Sequence, residues 1–422
     1  MIRVEEAIGI VLENIKVLSP RKVFILEVLG RVLAEDIYSP IDIPPWNNSA
    51  MDGYAVRAED IVGASRENPI SLKIIEDLPA GKSPAKSIGQ RETARIMTGA
   101  PIPEGANAVL PVEETQIVGT SDVLMFKPVK PGENVRLAAE DVKQGELVLK
   151  NNTVLWPPEI GMLASLGNRE VKVIPSPLVA VLATGDELIA LDEALSPGKI
   201  RNSNTYSLGA QITQSGAQVY LLGTAGDTRE GIKEKIEEGF KEADMVLTTG
   251  GVSVGEYDLV KEIFKEIGGE IKFWQVAMKP GKPLVFGLKQ HKPYFGIPGN
   301  PVAAMVVFEE FVRPAILKMM GHSNLFNPTI RAILKEDLKQ KPGRRHYVRV
   351  KVWREDNRYV ASSTGDQGSA ILKSMVLANG LAIIPEDCQI IRQGEEVAIK
   401  LLPWTLTAFY NRPGNALLTR EG

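Results

Sequence analysis

Residues 244–258 read DMVLTTGGVSVGEYD, and this stretch decides the fold. Residues 244–249 form a largely apolar run that predicts a strand, two glycines follow it, and a helix is expected from Tyr257. Glycines let the backbone approach a ligand closely, and a helix start offers free N–H groups to phosphate. The stretch predicts a strand–turn–helix unit that binds phosphate. The alternative is a tight turn in which Asp258 only stabilises the helix start.

Strands and helices continue to alternate on both sides of this stretch. Alternation of this kind is typical of a doubly wound, mostly parallel sheet, in which ligands lie beyond the carboxyl ends of the strands. We expect strands at 178–183, 218–223, 271–277 and 294–297, and helices at 205–215, 229–241, 257–267 and 301–320.

The rest of the chain differs from this α/β pattern. Residues 51–140 contain short alternating runs between Gly/Pro turns, residues 145–172 return to a helical pattern, and short strands return after residue 324. Proline-dense crossings bound the first of these regions. The predicted architecture is therefore multidomain α/β, with a doubly wound domain, an inserted β-rich domain, a helical and extended linker domain and a small β-barrel-like C-terminal domain. The expected boundaries are 1–46 with 141–174, 47–140, 175–322, 323–405, and a loose tail at 406–422.

Composition narrows the possible chemistry. The 422 residues carry a net charge of -3, which argues against nucleic-acid binding, since that tends to need a strongly basic domain. One cysteine and three histidines leave little material for a disulfide framework, a thiolate zinc site or a Ser-His-Asp triad. A bound metal would be a hard cation held by oxygen ligands. No signal peptide or membrane-length apolar run is recognised, so we expect a cytoplasmic protein.

Two further loops leave the same predicted sheet edge and carry acids. Residues 183–188 (ATGDEL) include Thr184, Gly185 and Glu187, and Asp227 follows the next strand. Glu187 and Asp227 could join Asp258 around a metal ion such as Mg²⁺, because a carboxylate beside a phosphate needs a bridging cation. The alternatives are a solvated loop acid for Glu187 and a capping box for Asp227.

Basic and capping residues follow the later strands. Lys279 and Lys282 lie on a Pro/Gly-stiffened loop and suit phosphate or a similar oxyanion as point charges, although an ordinary exposed turn is the alternative. In residues 296–301 (GIPGNP), Asn300 is expected to be the N-cap and Pro301 the first helical residue. This loop could bind an anion at a second helix start. The alternative is that Asn300 only caps the helix.

Several motifs elsewhere have no function that spacing alone reveals. Residues 47–55, 96–101, 132–141 and 365–369 are small, polar and glycine-bearing, and by themselves they predict turns.

Taken together, six motifs give the sequence a specific resemblance. SAMDGYA, MTGAPIP, LATGDEL, TTGGVSVGEYD, MKPGKP and GIPGNPV occur in this order, and matching stretches run from Pro44 to the Gly368-Ser369 region, which is nearly the whole chain. The sequence resembles the molybdopterin molybdenumtransferase family, which includes the C-terminal domain of gephyrin. The resemblance implies a homodimer of elongated four-domain subunits that inserts molybdate into adenylylated molybdopterin, with Mg²⁺, and releases AMP.

The resemblance also assigns roles to individual residues. It implies a cleft between the doubly wound domain of one subunit and the β-rich domain of the other, and partners among the enzymes of molybdenum cofactor synthesis. The catalytic candidates are Asp52, Thr98, Asp141, Glu187, Asp227, Asp258 and Lys279, with Glu187, Asp227 and Asp258 as Mg²⁺ ligands. The binding candidates are Thr184, Gly185, Gly250, Gly251, Ser253, Gly255, Lys282, Pro298, Gly299, Asn300, Pro301, Arg136 and Ser369.

Three positions depart from the family pattern. Gln275 stands where relatives commonly have lysine, and Ala139 and Ala370 stand where glycine is usual. Other interpretations are a molybdopterin adenylyltransferase, which the doubly wound domain resembles, a tungstate-inserting variant and a gephyrin-like scaffold. The extra domains favour the insertion step over adenylylation.

Overall fold

The computed structural model describes residues 1–251 and 259–404, and packing divides the chain into two units. The larger unit comprises residues 1–23, 28–34 and the described chain from residue 172 onward. The smaller unit comprises residues 24–27 and 35–171. None of the helices in the described ranges combines the length and apolar character needed to cross a bilayer.

A six-stranded sheet is the centre of the larger unit. Its first four strands are parallel, and the last two are antiparallel to their neighbours. The mostly parallel sheet expected from the sequence is confirmed. In spatial order the strands are Gln218–Ala225, Leu178–Thr184, Met245–Thr249, Lys292–Ile297, Pro283–Lys289 and Glu270–Gln275.

The strand Pro283–Lys289 was not expected from the sequence. It forms a hairpin with Lys292–Ile297, in which Lys289 pairs with Lys292. The two turn residues, Gln290 and His291, have φ angles of 52° and 68°. Two-residue turns of this kind are normally signalled by Asn-Gly or Asp-Gly, so the hairpin had no recognisable sequence mark.

Helices cover both faces of the sheet, as a doubly wound fold requires. Arg229–Glu242 and Leu259–Glu266 pack on one core, which includes Ile232, Phe240 and Phe264. The other core includes Val181, Leu208 and Phe308. It is covered by Val4–Asn14, Asn204–Gln214, Pro301–Val307 and Arg313–Met319.

The last helix of this domain is not the uninterrupted helix expected at 301–320. A π-helical segment, Phe308–Val312, separates Pro301–Val307 from Arg313–Met319. Pro314 has no N–H for an α-helical bond to the carbonyl of Glu310, and its ring would clash with that group. The widened turn removes the conflict, and it places Glu309 and Glu310 in the interior, where they are 3% and 2% exposed.

The C-terminal part of the larger unit is a closed five-stranded barrel, which confirms the barrel-like prediction. Gly380–Ile384 pairs with both Glu396–Leu401 and Arg345–Glu355, and this second pairing closes the sheet. The interior contains Val350, Ala382 and Ile399. The strands follow the order Arg345–Glu355, Arg358–Ser363, Thr329–Leu334, Glu396–Leu401 and Gly380–Ile384, with Met278–Lys279 added alongside the first.

The smaller unit is built on its own six-stranded sheet, as the β-rich prediction implied. Ile70–Leu78 and Glu92–Ile96 are parallel, and the other neighbouring pairs are antiparallel. Cores lie around Tyr54 and Leu110, and around Ala94 and Ile96. The spatial order is Ala108–Pro111, Gly53–Val56, Glu92–Ile96, Ile70–Leu78, Asp122–Met125 and Thr115–Val118.

The segments that flank this sheet are more extended than expected. Helical structure was predicted across residues 145–172, but the helix is confined to Pro157–Ser165 and is flanked by the strands Leu147–Leu149 and Glu170–Val173. Asn152 and Gly167 have φ angles of 70° and 79°, which are turn conformations and bound the helix on either side.

The first residues of the chain pack with the larger unit. Val4, Ala7 and Val11 of the helix Val4–Asn14 belong to the same core as the doubly wound sheet. Residues 1–23 therefore belong to the larger unit.

Candidate functional site

The carboxyl ends of the parallel strands open onto a cleft of ≈ 670 Å³, here called the glycine cleft. Turns that follow all four parallel strands contribute to it, as expected for a doubly wound sheet. The predicted residues that line it are Thr184, Gly185, Glu187, Asp227, Gly250, Gly251, Gly299, Asn300 and Pro301.

The turn after Met245–Thr249 can be built only with glycine. Gly250 has a φ of +92°, and a Cβ there would lie 2.3 Å from the Thr184 carbonyl oxygen. Gly251 has a φ of +64°, and its Cβ would lie 2.5 Å from Val260 Cγ2. Both contacts are impossible for a side chain, so the bare backbone forms this wall of the cleft. The rest of the predicted phosphate loop, with Ser253, Gly255 and Asp258, lies outside the described residues.

Asp227 of the glycine cleft is hydrogen-bonded to Asp186, a residue that was not predicted to belong to the site. The Asp227 N–H donates to Asp186 Oδ1 at 2.9 Å, and the Asp186 N–H donates to Asp227 Oδ2 at 3.5 Å. The capping box considered for Asp227 is not formed, because the N-cap of the helix Arg229–Glu242 is Thr228, whose side chain makes no cap. Asp227 and Glu187 are exposed at the cleft.

A second cleft of ≈ 610 Å³, here called the lysine cleft, lies around the Lys279–Pro283 loop. Lys279, Lys282 and Arg344 line it, with Asp366 as the carboxylate among the lining residues. Three cations against one anion favour an anionic ligand. Arg344 comes from the start of the barrel, and the basic run Arg344-Arg345 was the only sequence signal for it.

One contact joins the walls of the two clefts. Asn300 lines both, and its Nδ2 donates to Ser369 Oγ at 3.1 Å. The Val302 N–H also donates to the Ser369 carbonyl at 3.1 Å. The helix begins at Pro301 after Asn300, as predicted, but the Asn300 side chain reaches Ser369 and makes no cap.

A buried histidine lies beside the lysine cleft. His346 is 7% exposed and is paired in register with Lys279. Burial lowers the pKa of His346 to about 4, and the charges of Lys279 and Arg344 act in the same direction. The imidazole is therefore neutral near pH 7 and leaves the positive charge of the cleft to its lysines and Arg344.

The remaining predicted residues belong to the smaller unit. Asp52 Oδ1 accepts hydrogen bonds from both the N–H and the Oγ1 of Thr98, each at 2.8 Å. These hydrogen bonds hold the pKa of Asp52 below its ordinary value, and the bond from the Thr98 backbone has the larger effect. Arg136 and Asp141 are exposed, Arg136 on the short strand Val135–Arg136. The predicted site residues thus fall into two sets, one in each unit.

Comparison with known proteins identifies what these sites belong to. Residues 2–167 match the MoeA N-terminal region (domain I and II), 180–318 match a probable molybdopterin binding domain, and 331–402 match the MoeA C-terminal region (domain IV). A molybdopterin molybdenumtransferase 2 from Mycobacterium tuberculosis is 37% identical over 96% of this chain and 99% of its own length. The chain belongs to the molybdopterin molybdenumtransferase family.

Two further relatives agree with this molybdopterin molybdenumtransferase assignment. An enzyme of that name from a Nostoc species is 38% identical over 89% of this chain and 87% of its own length. The crystal structure of a molybdopterin biosynthesis MoeA protein from Pyrococcus horikoshii superimposes with a TM-score of 0.80. It has 34% sequence identity and covers 95% of this chain and 99% of its own.

The departures from the molybdopterin molybdenumtransferase pattern have different structural settings. Ala139 has a φ of 62°, the left-handed conformation that glycine adopts without strain. Ala370 lines the glycine cleft. Gln275 is absent from the linings of both clefts, and its carbonyl accepts the Ile2 N–H at 3.2 Å.

The polar segment Asn202–Thr205 also contributes to the glycine cleft, although it was not predicted from the sequence. Asn202 Oδ1 accepts the N–H of Thr205, in the first turn of the helix Asn204–Gln214, at 3.1 Å. Asn202, Ser203 and Asn204 line the glycine cleft. Consecutive Asn and Ser residues before a helical pattern are an N-cap signal, which could have identified the segment.

Proposed function

We propose that the chain is a transferase that inserts molybdenum into molybdopterin, taking adenylylated molybdopterin and molybdate and releasing AMP. The observation that carries this is the position of Asn300, which lines both clefts and donates to Ser369 of the lysine cleft, so that a glycine-lined cleft lies beside a cationic one. A reaction between a phosphorylated pterin and an oxyanion needs two such adjoining sites.

The glycine cleft is assigned to the nucleotide. Gly250 and Gly251 form part of its wall with backbone alone. A helix with Asn300 as its N-cap begins at Pro301 on the same cleft. Backbone N–H groups at such positions suit phosphate oxygens. Of the predicted binding residues, Thr184, Gly185 and Gly299 line this cleft, Pro298 lines the neighbouring one, and Ser253 and Gly255 complete the proposed loop.

The lysine cleft is assigned to molybdate. Lys279, Lys282 and Arg344 attract a tetrahedral dianion, and Arg344 can offer two parallel N–H donors to its oxygens. Positive charge held in place would also offset the negative charge that develops as the phosphate link is cleaved. Because tungstate has the same shape and charge, the cleft would take it as well.

Mg²⁺ is proposed as the cation of the glycine cleft. Glu187 and Asp227 both line it, and Mg²⁺ is usually held by one or two carboxylates together with substrate phosphates. Within residues 1–251 and 259–404 no cluster of three or more His, Cys, Asp or Glu residues is poised for a metal, which suits a site completed by the ligand and by Asp258. Bound there, the ion would polarise the phosphate against attack.

Asp52, Thr98, Arg136 and Asp141 are proposed to complete the site from the partner subunit of a homodimer. Asp52 and Thr98 are already joined by two hydrogen bonds, which gives that side of the site a fixed geometry. We also propose the four-domain division given above, a cytoplasmic location and association with other enzymes of molybdenum cofactor synthesis.

The test supplies the purified chain with adenylylated molybdopterin, Mg²⁺, and molybdate or tungstate, and measures AMP release and metal retained. Asp258→Ala should abolish molybdate-dependent AMP release and leave dimerisation intact. Full activity in that variant would overturn the proposed role. Formation of adenylylated product from MgATP and molybdopterin would favour adenylyltransferase activity instead.

A further inference from the structure

Asn204, the first residue of the helix Asn204–Gln214, lies where three loops of the glycine cleft meet. Its Nδ2 is 2.8 Å from Thr249 Oγ1 and 2.7 Å from the Gly299 carbonyl oxygen. Thr249 ends the strand before the glycine turn, and Gly299 belongs to the GIPGNP loop. One amide group therefore ties these two loops to a helix start.

The direction of each bond follows from the chemistry of its partners. A carbonyl oxygen only accepts, so the atom beside Gly299 must be the Asn204 NH₂ group. Thr249 Oγ1 donates its hydrogen to the Pro298 carbonyl at 3.0 Å, and so it accepts from Asn204. The chain of donors runs from Asn204 through Thr249 to Pro298.

This network sets a close spacing between the loops. A Cβ on Gly299 would lie 3.4 Å from Gly250 Cα, so the two backbones are nearly in contact. Asn204 and Thr249 are 9% and 2% exposed, which shields their hydrogen bonds from competing water. Loss of one bond should therefore alter the shape of the cleft at the place where both loops face a ligand.

We propose that Asn204 is a positioning residue that holds the glycine turn and the GIPGNP loop at the spacing required by the nucleotide. This inference rests on the proposed function of the glycine cleft. Among the described residues, none donates to Asn204 Oδ1, a buried acceptor with no partner. Buried polar atoms are normally paired, and an N–H or O–H group of the bound ligand would be the missing donor.

The experiment measures the Kd of adenylylated molybdopterin without molybdate, and separately the KM of molybdate. Asn204→Leu, of similar shape, and Thr249→Val should each raise the Kd about tenfold or more, the equivalent of one buried hydrogen bond. Thr249→Ser keeps the hydroxyl and should restore binding to within about twofold. The molybdate KM should change less than the Kd in every variant, because the cations of the lysine cleft are untouched.

Asn151→Leu, an exposed asparagine of the smaller unit, is the matched control and should bind as wild type does. Thermal unfolding establishes that each variant is folded. If Asn204→Leu does not fold, the Thr249→Val and Thr249→Ser pair decides the question alone. Wild-type affinity in a folded Thr249→Val variant, or an equal rise in the molybdate KM, would overturn the proposal. Absence of molybdenum insertion by the wild-type chain would instead count against the proposed function, since the Kd is measured without catalysis.

Discussion

Asn300 Nδ2 donates a hydrogen bond of 3.1 Å to Ser369 Oγ, and thereby fastens the start of a helix in the doubly wound domain to a loop of the C-terminal barrel. Asn300 lines both clefts, whereas Ser369 lines only the lysine cleft. The C-terminal domain thus contributes to the walls of both clefts, with Ser369 in the lysine cleft and Ala370 in the glycine cleft.

Removing Arg344 from the lysine cleft should weaken molybdate binding selectively. Arg344→Gln is expected to raise the molybdate KM about tenfold or more, because charge-assisted hydrogen bonds to oxyanions contribute about 1.5–3 kcal/mol. Steady-state AMP release at varied molybdate concentration measures the effect. Arg331→Gln, an exposed arginine on another barrel strand, is the control. An unchanged KM in Arg344→Gln would remove Arg344 from the molybdate site.

Replacing Ala139 by the family's usual glycine should stabilise the protein. Ala139 adopts a φ of 62°, a conformation that costs a non-glycine residue about 1–2 kcal/mol, partly offset by the greater freedom of glycine in the unfolded chain. Ala139→Gly should therefore raise the free energy of unfolding by about 0.5–1 kcal/mol in urea titrations. Ala138→Gly, with no positive φ to relieve, should lower it. A destabilised Ala139→Gly variant would contradict this account.

Breaking the buried ion pair between the π-helical segment and the barrel should be costly. Lys400 Nζ lies 2.6 Å from Glu310 Oε1, and the two side chains are 9% and 2% exposed. Lys400→Met leaves the Glu310 carboxylate buried, with Tyr347 Oη at 3.1 Å as its remaining side-chain donor among the described residues, and should lower stability by about 3–5 kcal/mol. The Glu310→Leu/Lys400→Met double variant should recover much of this loss.

The exposed pair of Lys335 and Glu355 provides the comparison for that experiment. Lys335→Met should change the free energy of unfolding by less than about 1 kcal/mol, because solvent screens the interaction. Equal effects of Lys335→Met and Lys400→Met in chemical denaturation would show that burial does not control the strength of the pair.

The neutral His346 should make stability fall in mild acid. Its folded-state pKa is about 4 and its ordinary value is 6.5, so between these values the unfolded chain binds a proton that the folded chain does not. Stability is unaffected above pH 6.5 and decreases as the pH falls from 6.5 to 4. The loss should reach up to about 3 kcal/mol at pH 4, since each pKa unit corresponds to about 1.4 kcal/mol.

His346→Gln should flatten this pH dependence of unfolding, whereas His291→Gln on the exposed hairpin turn should leave it as in wild type. A pH profile that is the same for wild type and His346→Gln would show that another group titrates in this range.

Much of the fold could be predicted because its signals are local. The apolar run at Leu178–Thr184 and the strand, glycine turn and helix around Gly250 identified the doubly wound domain. Short alternating runs identified the two β-rich regions. The hairpin at Gln290 and His291 and the π-helical segment at Glu309 were missed, since neither has the residues that usually mark such features.

The candidate site was predicted less evenly. Glu187, Asp227 and the glycines of the glycine cleft followed from their positions after parallel strands. Arg344 and Asn204 did not, because each enters the site from a region whose placement depends on packing.

The sequence by itself determined most strands and helices of the doubly wound domain, the glycine positions and the family, since each depends on residue type at short spacing. Only the tertiary structure decided that Ser369 meets Asn300 across 69 positions of chain, that Asp186 pairs with Asp227, and that the Asn204 amide spans two loops. Such contacts are set by barrel closure and by burial of apolar faces, which bring distant residues together without any pattern in the intervening sequence.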